Sequence, residues 1–374
     1  MSNAETTSAA LTKPDERVKS LSTWRILLAR PELGAMAGTV IVFAFFIVFA
    51  GNSGMFSAQG ILSFLNTAAQ FGILAAIIAL LTIAGEFDLS VGSMVGFAGV
   101  VIALPAAQWG WPLWICILLA FAIACLIGAI NGYIITRTGL PSFIVTLAGL
   151  LILRSAAFVL IHSLTNRTQV GGLKALAEKD WLAPIFSGYV FTDFFNWMGR
   201  QGWLALRNDN GLPLAQGIPV SVVWWLLLTL ICTWILNQTR FGNWIFSTGG
   251  DATAARNVGV PVDRVKIILF MLVAASATLL AVIQAMDTGS ADTLRGAGKE
   301  FDAIIAVVVG GTLLSGGYGS AIGPAFGALI LGVVYAGIIS AGFDSDYFKM
   351  FVGSLLLIAV FFNTYIRRKV TYAR

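Results

Sequence analysis

The chain contains 374 residues, of which 58% are hydrophobic and 11% are charged, and its formal net charge at pH 7 is +5. A soluble domain carries about 25% charged residues, so this composition excludes an ordinary soluble protein. Four runs without any Asp, Glu, Lys or Arg cover residues 33–85, 89–136, 210–239 and 303–343. A spanning helix needs about 20 apolar residues, so each run has room for at least one membrane span.

The first 30 residues are polar and carry five Lys or Arg residues. They lack the apolar stretch and the cleavage site of a secretory signal. We therefore predict a disordered cytoplasmic tail over residues 1–30, followed by a transmembrane domain over residues 31–370. The three cysteines lie in apolar runs without metal-ligand spacing, so we predict no metal site.

The apolar pattern predicts an all-α, polytopic integral membrane protein with about ten transmembrane helices. Turn-forming residues at 109–112 and 315–320 divide two of the runs into helix pairs. The helix predicted at residues 302–314 is short for a bilayer crossing, which is typical of a broken or re-entrant helix that lines a cavity or packs on protein. The predicted helices cover residues 34–50, 64–84, 90–108, 112–135, 142–161, 220–236, 265–286, 302–314, 321–341 and 348–366.

Ten spans place both termini on the same side of the membrane. With both termini in the cytoplasm, the inner segments hold 14 Lys or Arg residues and the outer segments hold eight, five of them in one long insert. Cytoplasmic loops carry the excess of Lys and Arg, so we predict cytoplasmic termini. The positive net charge is therefore a topology signal, and we predict no nucleic-acid partner.

A polar motif, residues 84–93, precedes the third predicted helix. Asp88 or Ser90 can cap this helix by accepting its free N–H groups. Gly92 and Gly96 let a neighbouring segment approach closely. The motif is either a cap with a packing face or a hinge or pore-lining element that includes Ser93.

A glycine-rich segment follows the short helix. Gly319, Gly323 and Gly327 recur every four residues, which predicts one helical face of small residues and a tight helix crossing. In a second interpretation, Thr312 and Ser315 present their hydroxyls to a polyol that passes through the membrane.

Three polar side chains inside predicted spans are candidates for lining a translocation path. Arg154 lies about twelve residues into its helix, which is a costly place for a charge unless it is paired or faces water. It can snorkel outward, be held by a helix end or line an outer vestibule. Asn66 and Gln70 either line a polar path or form interhelical hydrogen bonds.

A polar connector, residues 238–264, separates two long apolar runs. Residues 251–258 can form two helical turns with Asp251 as the cap, and Pro261 follows them. The connector is either a packed element on the membrane surface, an ordinary solvated loop, or a basic segment in contact with anionic lipid.

A long insert, residues 163–219, carries many Trp, Phe and Tyr residues. Aromatic residues at this density are typical of the membrane–water interface. The insert can form a helix that lies on the outer face of the membrane. It is either padding or a docking surface for an extracytoplasmic binding protein.

Residues 298–299 do not form a P-loop, because Thr293 and Glu300 occupy the places of the required Gly and Ser or Thr. The spans also lack a metal cluster and a plausible catalytic pair, so we predict that the chain is not an enzyme. If transport depends on ATP, another chain must hydrolyse it.

Three stretches of sequence resemble the ribose-type permeases of ABC importers. They are Gly-Gly-Asp-x-x-Ala-Ala-Arg-x-x-Gly-Val in the connector, Asp-Leu-Ser-Val-Gly-Ser before the third helix, and Gly-Gly-Thr-Leu-Leu-Ser-Gly-Gly after the short helix. The resemblance runs from about residue 64 to the C-terminus, except for the insert, which is longer than is usual in this family.

The resemblance implies a multi-pass permease of the bacterial inner membrane that works as a pair of subunits. It favours a homodimer over a heterodimer. A cytoplasmic ABC ATPase would hold ATP and Mg, so this chain would bind no cofactor. A periplasmic sugar-binding protein would deliver the cargo. The residues implied to dock on the ATPase are Gly249, Gly250, Asp251, Ala254, Ala255, Arg256, Gly259 and Val260.

The few charges in the spans favour a neutral sugar, either a pentose, a hexose or a polyol. Two alternatives stay open at this point. One is an ABC permease for a nucleoside, an autoinducer-type furanose or a branched-chain amino acid. The other is a secondary carrier that works without an ATPase.

Overall fold

A computed structural model describes residues 31–207, 211–344 and 346–371. The predicted N-terminal tail, residues 1–30, lies outside these ranges. In chain order the helices are α1 (Pro31–Ala50), α2 (Ala58–Ile83), α3 (Val91–Trp109), α4 (Leu113–Thr138), α5 (Ser142–Thr165), α6 (Leu173–Ala177), α7 (Thr192–Arg200), α8 (Val220–Gln238), α9 (Arg240–Gly250), α10 (Ala252–Asn257), α11 (Val262–Thr288), α12 (Lys299–Val309), α13 (Ile322–Ser340) and α14 (Tyr347–Thr371).

Strands contribute little to the fold. Among the described residues there are four short strands: β1 (Gln169–Val170), β2 (Tyr189–Val190), β3 (Ile218–Pro219) and β4 (Ala291–Asp292). β1 pairs antiparallel with β4, and β2 pairs antiparallel with β3. These two pairs attach the insert to the segment after α11 and to the beginning of α8. We call this side of the molecule the insert side and the opposite side the connector side.

The predicted all-α membrane fold is confirmed, since every predicted span coincides with a helix. Within the described ranges, eight of these helices are long and apolar enough to cross a membrane. α14 adds a shorter apolar stretch, Tyr347–Phe361, and α12 has only 11 residues.

Eight of the twenty predicted helix boundaries differ from the structure by more than two residues, and α12, α2 and α11 show local reasons. α12 covers Lys299–Val309 rather than 302–314, because the backbone at Gly311 adopts a left-handed conformation with φ of 88°. α2 begins six residues early, at Ala58, where the hydroxyl of Ser57 accepts a hydrogen bond from the N–H of Gly60. α11 begins at Val262, inside the predicted connector, directly after Pro261.

The helices form an inner and an outer layer. α2 is the central helix, and it contacts α8, α11, α12 and α13, while α3 packs on α4, α5 and α11. The outer helices α1, α4, α5 and α8 leave large apolar side chains exposed, among them Val48, Leu118, Ile152 and Leu230. Exposed apolar bands of this length are costly in water and are stable in contact with lipid.

Small residues let α4 cross α11 closely. A Cβ added at Gly128 would lie 2.6 Å from the carbonyl oxygen of Phe270, and one added at Gly132 would lie 2.7 Å from Cα of Ile267. These two glycines are four residues apart and therefore share one face of α4. The backbones of α4 and α11 approach each other along this face, which is the usual effect of small residues in membrane helices.

We expect Gly128→Val to destabilise the purified chain by about 1–3 kcal/mol, because added methyl groups force a close-packed interface apart. Gly353→Ala in α14 is the matched control, since its added Cβ would meet no heavy atom within 4 Å in the described part of the chain. The control should be neutral or slightly stabilising, because alanine favours the helix over glycine by about 0.5–1 kcal/mol. Thermal unfolding in detergent measures the stability of both variants. Equal unfolding midpoints for Gly128→Val and Gly353→Ala would contradict the close crossing of α4 and α11.

Candidate functional site

The connector between α8 and α11 consists of two short helices. α9 follows α8 directly, and the hydroxyl of Thr239 caps it by accepting a hydrogen bond from the N–H of Gly242 at 3.1 Å. α10 follows α9, and the carboxylate of Asp251 accepts hydrogen bonds from the N–H groups of Thr253 and Ala254. The predicted cap at Asp251 is therefore present, whereas α9 was not predicted.

α10 presents a small apolar surface to solvent. Val258, directly after the helix, is 80% exposed, and Ala254 one turn earlier is also exposed. Ala255 points the other way and is 4% exposed. Arg256 is held by an ion pair with Asp263 at 2.5 Å, which joins α10 to the first turn of α11. Val258 and Ala254 are therefore the apolar side chains that α10 offers to solvent.

Of the other connector residues implied to dock, Asp251 and Gly259 are exposed and Val260 is half-buried. The N–H of Val260 donates to the carbonyl oxygen of Ala255, which closes the end of α10. Gly250 is exposed, but Gly249 lies against other parts of the chain.

Gly249 belongs to a contact of three glycine-containing turns, which we call the glycine junction and define as Gly85, Gly249, Gly316 and Gly317. A Cβ added at Gly249 would collide with the carbonyl oxygen of Ile83 and would lie 2.6 Å from the N–H nitrogen of Gly317. The N–H of Gly317 donates a hydrogen bond to this same carbonyl oxygen at 2.8 Å. The end of α9 is therefore wedged between the α2–α3 turn and the α12–α13 turn.

An ion pair forms a second link between the connector side of α11 and the α2–α3 turn. The ammonium of Lys266, in the second turn of α11, pairs with the carboxylate of Glu86. Both side chains are largely buried. The α2–α3 turn is thus attached to the connector region twice, at the glycine junction and at this pair.

The α2–α3 turn is also hydrogen-bonded to α5. The N–H groups of Phe87 and Leu89 donate to the hydroxyls of Ser142 and Thr146. Asp88 accepts from the N–H and the hydroxyl of Ser90, and burial raises the pKa of Asp88 to about 6. The predicted cap of α3 is absent, because the side chains of Asp88 and Ser90 do not accept hydrogen bonds from the free N–H groups of this helix.

A nonhelical segment, residues 290–298, runs back along α3 before α12 begins. A Cβ added at Gly96 would lie 2.9 Å from the carbonyl oxygen of Arg295, and one added at Gly92 would lie 2.6 Å from that of Gly296. The two predicted packing glycines therefore contact this segment rather than a helix. In a membrane protein, irregular backbone is tolerated where it packs on protein in this way.

An ion pair between α5 and α12 was not predicted. The guanidinium of Arg154 lies 3.8 Å from the carboxylate of Glu300, which is 3% exposed. Oε2 of Glu300 has no hydrogen-bond partner among the described residues, and it lies where a side chain on Gly92 would be. A signal was available in the sequence, because a lone arginine in a span requires an acidic partner or water.

The glycines after α12 do not share one helical face. Gly319 precedes α13, where an added Cβ would lie 2.8 Å from side-chain atoms of Ile83 and Thr312. The hydroxyl of Ser320 accepts a hydrogen bond from the N–H of Gly323 at the beginning of α13. The four-residue spacing of the three glycines therefore begins before the helix does. Gly323 and Gly327 do lie in α13 and face the backbone of α12.

The remaining candidates for a translocation path are dispersed. The side chains of Thr312 and Ser93 are buried, and neither hydroxyl has a partner in the described part of the chain. Ser315 is exposed in the turn after α12.

Asn66 and Gln70 form interhelical hydrogen bonds. Asn66 accepts from the hydroxyl of Ser221 on α8 at 2.5 Å, and Gln70 accepts from the amide of Gln284 on α11 at 2.9 Å. These bonds join the central helix α2 to two neighbours, which is the second of the two roles considered for them.

This geometry defines a class of protein: a multi-pass helical membrane protein whose connector carries a solvent-exposed helix and contacts the α2–α3 and α12–α13 turns. The family model described as a branched-chain amino acid transport system permease component matches residues 60–360, and the chain belongs to this family. The protein is therefore a permease component of the inner membrane, which is not itself an enzyme.

Curated relatives match over most of their length. The xylose transport system permease protein XylH of Escherichia coli K12 is 29% identical over 89% of this chain and 92% of its own. The ribose import permease protein RbsC of the same strain is 30% identical over 84% of this chain and 88% of its own. The inner membrane ABC transporter permease protein YjfF is 31% identical over 82% of this chain. No solved structure matches.

Proposed function

We propose that the protein is the permease subunit of an ATP-driven, binding-protein-dependent ABC importer that moves a neutral sugar across the bacterial inner membrane. The observation that carries the proposal is the exposed surface of α10, which is joined through the glycine junction to the turns at the ends of α2 and α12. A motor that binds α10 from solution can act through these contacts on helices in the centre of the fold.

The connector side faces the cytoplasm in this proposal, and both termini lie there. A cytoplasmic ABC ATPase binds α10 and holds ATP and Mg, so the permease itself needs no cofactor. A periplasmic sugar-binding protein docks on the insert side. The excess of Lys and Arg in the segments assigned to the cytoplasm supports this orientation.

Closure of the ATPases moves α10, and the rigid contacts at Gly249 and at Lys266 pass the motion to the α2–α3 and α12–α13 turns. α3 and α12 then shift relative to α5, which carries Arg154. Asp88, Ser90, Ser93, Thr312 and Ser315 are the hydroxyl and carboxylate candidates for contacts with a polyol near these helices.

The assembly contains two permease subunits, and we propose a pair of identical copies. A pentose is favoured as cargo, because XylH and RbsC are named as xylose and ribose permeases and are similar over most of the chain. The second candidate is another small cargo on the same machinery, such as a branched-chain amino acid, which the family description names.

Val258→Asp is expected to abolish co-purification of the ATPase subunit from membranes of the source cell, because a charge replaces the exposed apolar contact. Ala254→Asp should weaken it in the same way. The matched control is Ser247→Asp, which adds the same charge at an exposed position of α9. Ala255 is unsuitable for this test because it is buried, so its substitution would disrupt the connector itself.

The wild-type chain and the Ser247→Asp variant should both bring down the ATPase. If Val258→Asp and Ala254→Asp bring it down equally well, α10 is not the docking surface. If the intact chain captures no ATPase and its transport collapses with the ion gradient, the protein is a secondary carrier and the proposal fails.

A further inference from the structure

The insert carries a cluster of exposed aromatic rings, which we call the aromatic face and define as Phe194, Trp197 and Trp203. These side chains are 55%, 43% and 66% exposed. The rings of Phe194 and Trp197 stack with centroids 5.9 Å apart, and those of Trp197 and Trp203 meet edge to face at 5.4 Å. The cluster is therefore one continuous apolar surface.

Only one side of α7 is covered by the rest of the insert. A Cβ added at Gly199 would lie 2.6 Å from the ring of Pro213 and 3.2 Å from Leu206, so this side packs on the hairpin that those residues form. Phe194 and Trp197 point away from it, and the charged residues Asp193 and Arg200 flank them in an exposed position. α7 is thus a short amphipathic helix with its apolar side open.

Backbone contacts fix α7 at the level where α8 enters the membrane. β2 ends one residue before Phe191, and it pairs with β3, which directly precedes α8. The ring of Phe186 stacks on Trp224 of α8, and the indole N–H of Trp224 donates to the carbonyl oxygen of Ile185. The base of the insert is therefore attached to the first turns of a spanning helix.

Phe191 then turns the chain from β2 into α7 with a φ of 62°, a left-handed conformation that is uncommon for phenylalanine. On the same side of the membrane, Trp109 and Trp111 are exposed at the turn between α3 and α4. Tryptophan and tyrosine concentrate at the membrane–water interface, where the ring is apolar and its polar edge stays hydrated. The aromatic face continues this belt.

We propose that α7 lies on the insert-side membrane surface with the aromatic face in the lipid headgroup region, so that the insert is anchored to lipid. Two observations favour lipid over a protein partner: the attachment of the insert at the mouth of α8, and the belt at Trp109 and Trp111 on the same side. Amphipathic helices of this kind bind with their apolar side at the acyl boundary and their charges in water.

The test places a nitroxide at single cysteines in the full-length chain, reconstituted in nanodiscs of phosphatidylethanolamine and phosphatidylglycerol. Phe194→Cys and Trp197→Cys report on the aromatic face, and Glu178→Cys is the control at an exposed polar position of the insert. The background replaces Cys116, Cys125 and Cys232 with Ala. Collisions of each label with oxygen, which concentrates in lipid, are compared with collisions with a neutral nickel chelate, which stays in water.

Labels at positions 194 and 197 should collide more often with oxygen, and the label at position 178 should collide more often with the nickel chelate. If the nickel chelate reaches all three positions equally, the face is in water and the proposal is overturned. It is also overturned if the sugar-loaded binding protein, added to the nanodiscs, removes nickel collisions at 194 and 197, because the face is then a protein docking surface. Size-exclusion profiles matching that of the background chain establish that the variants are folded.

Discussion

Gly249→Ala is expected to abolish most sugar transport, whereas Gly250→Ala, one residue later, is expected to be tolerated. A Cβ at position 249 collides with the carbonyl oxygen of Ile83 and crowds the N–H of Gly317. The hydrogen bond between these two groups would have to break or the three turns would have to separate. Overpacking of this kind costs about 1–3 kcal/mol or more.

The adjacent glycine provides a strict control. A Cβ at Gly250 would meet no heavy atom of the described residues within 4 Å, and this residue ends the same helix. Both variants should still bring down the ATPase, because neither changes the exposed surface of α10. The measurements are sugar uptake and ATP hydrolysis in proteoliposomes that contain the complete complex. Normal uptake per ATP hydrolysed by Gly249→Ala would mean that the junction does not transmit motion.

Substitution of either member of the Arg154–Glu300 pair is expected to destabilise the protein more than substitution of both. Glu300→Gln leaves a cation inside the membrane without its partner, and Arg154→Gln leaves a buried carboxylate. Breaking a fully buried pair costs about 3–5 kcal/mol. The loss here should lie below that range, because the arginine side chain is about one third exposed.

Thermal unfolding of the two single variants and the double variant in nanodiscs forms a double-mutant cycle. Arg137→Gln removes an exposed arginine at the end of α4 and is the control for loss of charge alone. We expect the double variant to recover part of the lost stability while its sugar uptake stays low. Strictly additive losses would contradict a direct interaction between the two side chains.

The spanning helices could be predicted because their apolar runs are long and are interrupted only by turn-forming residues. The cap at Asp251 was predictable as well, because a carboxylate before a helix satisfies a local requirement. α9 was missed because its sequence contains Gly242, Gly249 and Gly250, which are poor helix formers in isolation. Its stability comes from packing on neighbouring helices, which sequence spacing does not reveal.

The functional contacts were harder to predict than the helices. The glycine junction joins residues more than 200 positions apart, from Gly85 to Gly317. Local patterns indicated that these glycines begin and end helices, but not that they meet. The even spacing of Gly319, Gly323 and Gly327 suggested one helical face, and the error arose because the spacing was assumed to lie within an unbroken helix.

The short length of α12 also determines how the chain can enter the membrane during synthesis. With 11 residues, it is about 16 Å long, roughly half the hydrocarbon thickness of a bilayer, and Lys299, Glu300 and Asp302 lie in its first turn. Charged residues oppose recognition of a segment by the insertion machinery. We therefore expect α12 to enter together with α13, against which it packs closely at Gly323 and Gly327. A nascent chain that stops between these two helices would leave α12 outside the bilayer.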